Sequence, residues 1–117
     1  MTWIYRSSDG ELNRDGEFTG TGYSGMGECR NRPDKEHIPM MGPIPKGRYE
    51  IGSARFSERL GPIVMNLTPI GHEACHRSLF RIHGDNKTHD ASHGCIILGP
   101  ALRRMIADSG DHALEVI

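Results

Sequence analysis

Ser78-Leu-Phe-Arg-Ile-His-Gly-Asp-Asn-Lys-Thr-His-Asp-Ala-Ser-His-Gly-Cys-Ile-Ile-Leu98 sets two short apolar runs on either side of a polar loop that carries three histidines and leads into a cysteine. The runs, Leu79–Ile82 and Cys95–Leu98, have the length and β-branched content of strands. A cysteine attacks a carbonyl at neutral pH only if its thiolate is stabilised and a neighbour takes the proton, a task that suits histidine because its pKa lies near neutrality. His83 lies twelve positions before Cys95 and His93 two before it. If the two runs are adjacent strands, the loop between them brings Cys95 back to the end of the strand that carries His83.

Outward from this stretch the chain alternates strands and turns. Trp3–Arg6 and Glu11–Arg14 flank Asp9-Gly10, and Asp15-Gly16 repeats the turn signal before Glu17–Tyr23, so the chain should open as a meander. Tyr23 to Ile44 has no apolar period and several breakers; it reads as a long loop held down at Pro33, Pro39 and Pro43. Arg48–Ile51 alternates as a strand, and Pro62–Leu67 is continuously apolar, as expected of a mid-sheet strand buried on both faces. Thr68–Arg77 reads as another loop. Pro100–Asp108 is the one convincing helix, with proline in its first turn, Leu102, Met105 and Ile106 on one face, and Gly110 at its end. His112–Ile117 closes the chain as a strand.

At 117 residues the chain is expected to form one domain, residues 1–117, with a single core. Its 15 glycines and 7 prolines exceed the total of about 14 that average usage gives, which favours a loop-rich β fold over a helical bundle. A formal net charge of -1, with 25% of residues charged and both signs interspersed, argues against a polyanion-binding surface, so nucleic acid is not an expected partner. No apolar run approaches the roughly 20 residues that span a bilayer, and Met1–Arg6 has no signal-peptide core. Membrane insertion is therefore not expected. Of the three cysteines at least one is unpaired in a monomer; with Cys95 as nucleophile, Cys29 and Cys75 remain either as free thiols or as a disulfide.

His83-Gly84 followed by Ser92-His93-Gly94-Cys95 resembles the active-site signature of the YkuD-like L,D-transpeptidases. Gly22-Tyr-Ser-Gly25, Asn31-Arg-Pro33 and Gly42-Pro-Ile-Pro-Lys-Gly-Arg-Tyr-Glu-Ile51 extend the resemblance to the compact subgroup that includes type VI secretion effectors. The resemblance implies a mainly β fold, a mixed or antiparallel sheet curved into a sandwich with one short helix. It implies cysteine-dependent acyl transfer on peptidoglycan tetrapeptide stems, without a cofactor or metal: transpeptidation, D-amino-acid exchange or L,D-carboxypeptidation. Cys95 would be the nucleophile and His83 the base, its ring oriented by a backbone carbonyl at Gly84. His93 would support the thiolate or the oxyanion, and Ser92 the loop; Gly94, lacking a Cβ, would let backbone amides face the oxyanion. Tyr23, Asn31 and Lys46 are the candidate substrate contacts. Action in the periplasm or cell wall would then need delivery by secretion machinery, with an immunity protein as a further partner.

Two other readings stand beside this one. His89-Asp-Ala-Ser-His93 is spaced like HExxH, and His83 and Cys95 could complete a zinc site for a hydrolase. That spacing needs a helix to align both histidines, and no apolar helical period surrounds it. The other reading is a non-catalytic peptidoglycan-binding module on the same fold. Asp85 and Asp90 read as solvated loop residues or caps, and His37, His72, His76 and His112 as surface or packing residues.

Overall fold

The computed structural model describes residues 2–88 and 91–117. These form ten strands, β1 (Thr2–Arg6), β2 (Glu11–Arg14), β3 (Glu17–Thr21), β4 (Tyr23–Ser24), β5 (Gly47–Ile51), β6 (Arg55–Ser57), β7 (Gly61–Ile70), β8 (Phe80–His83), β9 (Ile96–Ile97) and β10 (Ala113–Val116), with one α-helix, α1 (Pro100–Ser109). The strands build an open mixed sheet in the order β3-β2-β1-β10-β5-β7-β8-β9-β4, with β6 attached to β7 off this path. Two pairings are parallel, β1 with β10 and β8 with β9; the others are antiparallel. The fold is thus mainly β with one helix, as the sequence implies, and among the described residues no helix is long and apolar enough to cross a membrane.

The opening meander forms at the two Asp-Gly turns. Gly10 and Gly16 take φ of 75° and 78°, the left-handed region that a residue without Cβ enters at no steric cost. Alternation then sorts the side chains. Trp3, Tyr5, Leu12, Tyr49, Ile51, Met65, Leu67, Phe80, Ile82, Ile96, Leu114 and Val116 all enter one buried cluster, while their strand neighbours face the other way. Burying a side chain of this size contributes about 1.5–3 kcal/mol, so the meander, the middle strands and β10 are held by one core.

Three sequence expectations need correction. Pro62–Leu67 was expected to be apolar on both faces, but β7 is longer, and from Met65 onward it alternates, with Asn66 and Thr68 exposed. The helix turns Ile106 and Leu102 inward as expected, but Met105 is 45% exposed and Arg103 is buried in its place beside Ile106. A buried guanidinium is tolerated here because its donors are used: Arg103 Nε donates to Leu98 O at 3.0 Å and Nη1 to Pro62 O at 2.7 Å. In the long 23–44 segment Pro43 is buried but Pro39 lies exposed, and Arg77 holds the carbonyls of Glu36, Gly42 and Pro43. The segment also holds β4 and two short 3-10 turns, Gly27–Cys29 and Pro33–Lys35.

Candidate active site

The parallel β8–β9 pair decides the site. Parallel neighbours cannot be joined by a tight turn and need a crossover of about a dozen residues; here it is the 84–95 connection between His83 and Ile96. The register Ile82↔Ile96 and His83↔Ile97 places Cys95 one step before β9 and diagonal to His83. Because side chains alternate, His83, Ile97 and Cys95 share the face opposite the core residues Ile82 and Ile96. The cysteine therefore sits beside the strand, short of its end, and both side chains line one cleft of about 340 Å³ together with Met40, Leu79, Arg81 and His93.

The loop's approach to Cys95 is fixed by Ser92. Its fully buried hydroxyl donates to Cys95 O at 2.6 Å and accepts from Gly25 N–H at 2.9 Å and Gly94 N–H at 3.2 Å. Ser24 adds a second layer, accepting from Ile44 N–H at 2.8 Å and donating to Gly94 O at 3.4 Å. Gly94 has φ of 118°, and a Cβ there would fall 2.3 Å from Nη2 of Arg77. Both the backbone conformation and the close approach of that guanidinium require glycine. Arg77 Nη1 donates to Glu36 O at 2.6 Å and Pro43 O at 2.9 Å, and Nη2 to Gly42 O at 3.1 Å and His93 O at 3.2 Å. One fork thus joins the 36–43 loop to the loop that carries the cysteine.

His83 is buried, and its Nδ1 lies 2.8 Å from Gly84 O. A carbonyl only accepts, so Nδ1 carries the proton and Nε2 is left with a lone pair. Burial lowers the His83 pKa against the upward pull of the Gly84 carbonyl, which keeps the ring neutral at neutral pH. Gly84 itself is packed against Arg103, whose Nη2 would lie 2.8 Å from a Cβ at that position.

Cys95 is 9% exposed and its Sγ donates to Leu79 O at 3.7 Å. Burial raises its pKa; a hydrogen bond from the Arg81 backbone N–H and the charges of Arg81 and Arg77 pull the other way without reversing the shift. Both shifts favour the uncharged forms, the thiol of Cys95 and the imidazole of His83. His93 is exposed at the cleft mouth, with Nδ1 3.1 Å from Met40 O.

The remaining candidates lie elsewhere. Tyr23 donates to Asp85 at 2.6 Å and accepts from Ala91 N–H at 3.1 Å, which clamps the two ends of the described loop; burial and then Asp85 push its pKa up to about 12. It lines a neighbouring hollow of about 490 Å³ with Gly84, Asp85 and Arg103. Asn31 accepts from Ser24 N–H at 3.3 Å, and Lys46 pairs with Glu36 at 3.6 Å. Neither lines the cysteine cleft. Cys29, buried, and Cys75, exposed, are free thiols. Asp90 and His89 lie outside the described residues, and among the described residues no three His, Cys, Asp or Glu side chains group as metal ligands.

With this geometry in place, the sequence can be set beside known proteins. The Tlde1 domain profile matches residues 19–112, four-fifths of the chain. The chain belongs to the Tlde1 domain family. This is a family of type VI effector domains. No curated protein sequence matches the chain. Among solved structures, this Tlde1 domain resembles the crystal structure of an L,D-transpeptidase (Yku) from Stackebrandtia nassauensis, with TM-score 0.55 and 16% identity over 99% of the chain. That likeness establishes a YkuD-like fold. The chain spans about half, 54%, of that protein's length. Sequence reasoning missed β6, Arg77 and Arg103; nothing along the chain marks these two arginines, and only the carbonyls they meet distinguish them.

Proposed function

We propose that this domain transfers acyl groups on peptidoglycan tetrapeptide stems, with Cys95 as nucleophile and His83 as general base. What carries the reading is a buried thiol and an Nδ1-protonated imidazole opening into one cleft from adjacent parallel strands. His83 Nε2 removes the thiol proton as Cys95 Sγ attacks the carbonyl carbon of the third, L-centred residue. The Gly94 N–H is engaged by Ser92, so the oxyanion falls to the Cys95 N–H. Collapse breaks the C–N bond to the terminal D-alanine, whose amine takes the proton from the His83 imidazolium and leaves a thioester on Cys95. An acceptor amine or water, deprotonated by His83, then attacks the thioester. The first outcome is transpeptidation or D-amino-acid exchange, the second L,D-carboxypeptidation. Membership of an effector domain family supports action in the cell wall after delivery by secretion machinery, with an immunity protein as counterpart.

The test is mass spectrometry of purified muropeptides incubated with the protein, with and without free D-amino acid. Cys95→Ala is expected to lose turnover and His83→Ala to lose a comparable factor, since groups acting as a unit are not additive. A Cys95→Ala protein that keeps most of its activity overturns the mechanism.

A further inference from the structure

The cysteine cleft is lined by three arginines, Arg55 on β6, Arg59 in the turn after it, and Arg81 on β8, and among the described residues no aspartate or glutamate lines it. Among the described residues none of the three is ion-paired to a carboxylate. Arg55 Nη2 is held by Asn66 Oδ1 at 3.0 Å, and Asn66 stands opposite Arg81 in the β7–β8 register. The cations come from two chain segments, β6 with its following turn and β8, and line the cleft that Cys95 lines. Asp85 belongs to the adjoining hollow, which shares Arg59, His83 and His93 with the cleft, and there it accepts the Tyr23 hydroxyl. In a protein of net charge -1, three guanidinium groups without an ion-paired carboxylate among the described residues concentrate positive potential at the cleft that Cys95 lines.

We propose that Arg55 and Arg59 are specificity-determining residues that bind free carboxylates of the acyl donor, so that the domain selects acidic stem peptides over amidated ones. The choice of peptide rests on the acyl-transfer reading; the carboxylate recognition rests on the cleft. Guanidinium groups suit this task because their forked donors match a carboxylate in pairs. Arg81 is set apart from the pair, since its backbone N–H and charge already act on Cys95. Arg55 and Arg59 are exposed side chains, so replacing them leaves the core untouched.

The experiment compares a synthetic tetrapeptide stem carrying free carboxylates with the same peptide in which they are amides. Binding to Cys95→Ala protein is measured by calorimetry at low and high salt, in the presence and absence of Arg55→Gln plus Arg59→Gln. The acidic peptide should bind about tenfold more tightly than the amide at low salt, the value of one good charge-assisted contact. High salt should narrow that gap, and the double substitution should reduce it to about twofold or less. Equal binding of the two peptides, or a preference untouched by the double substitution, overturns the proposal. Turnover of the acidic peptide by the Cys95 protein is scored separately. Preference without turnover refutes acyl transfer and leaves carboxylate recognition standing; turnover without preference does the reverse.

Discussion

Replacing Ser92 by alanine removes one oxygen and strands three backbone groups. The Ser92 side chain is fully buried, and its hydroxyl serves the Cys95 carbonyl and the amides of Gly25 and Gly94. A buried polar group left without a partner costs about 1–3 kcal/mol. Taking about 1 kcal/mol for each of three, because the 24–25 and 92–95 segments can relax together, Ser92→Ala should lower the unfolding free energy by about 3 kcal/mol. A domain of this size has about 5–15 kcal/mol in hand, so the variant still folds. With a urea slope of about 1.5 kcal/mol per molar, the midpoint should fall by about 2 M, read from tryptophan fluorescence of Trp3. The same change loosens the turn that presents Cys95, so carboxypeptidase turnover should fall by at least about tenfold under conditions where the variant is folded, a loss of about 1.4 kcal/mol in transition-state stabilisation. A midpoint shifted by less than about 0.5 M, with turnover intact, would show that Ser92 is not the pin described here.

Two further outcomes follow from the site. Arg77→Met removes four hydrogen bonds to carbonyls of the 36–43 loop and His93, and should cost about 2–4 kcal/mol in unfolding free energy; hydrogen exchange should quicken first at Ile38 and Gly42, whose amides donate to Lys35 O and Ile38 O, and unchanged exchange there refutes the anchoring role. Because burial lowers the His83 pKa, the folded protein resists a proton that the unfolded chain accepts below about 6.5. Stability should therefore rise with pH through the window between the depressed folded value and that unfolded one, and fall as pH drops through it. The acid limb of kcat/KM should likewise lie below the ordinary histidine value, with no loss on the alkaline side until the raised Cys95 thiol titrates; an acid limb above 6.5 contradicts the buried, neutral imidazole.

The local signals in the sequence were sufficient wherever structure depends on neighbours along the chain. Asp9-Gly10 and Asp15-Gly16 set the hairpins because positive φ is a property of one residue, and Pro100 with Gly110 bounded the helix because capping is a property of a few. That His83 and Cys95 belong to one cleft was legible as residue types and spacing. It was not legible that β8 and β9 run parallel, since register depends on hydrogen bonds between strands twelve or more positions apart. That direction sets Cys95 beside Arg81 and turns the intervening loop into a crossover. Arginine was the least legible residue of all: Arg77, Arg103, Arg55 and Arg59 share one side-chain chemistry. Only the tertiary structure decides whether a guanidinium meets buried carbonyls, as the first two do, or stands at the wall of a cleft beside a thiol, as the last two do. Chain-local sterics and periodicity wrote the strands, turns and helix into the sequence; the partners of a long charged side chain come from distant segments, and folding alone brings them within reach.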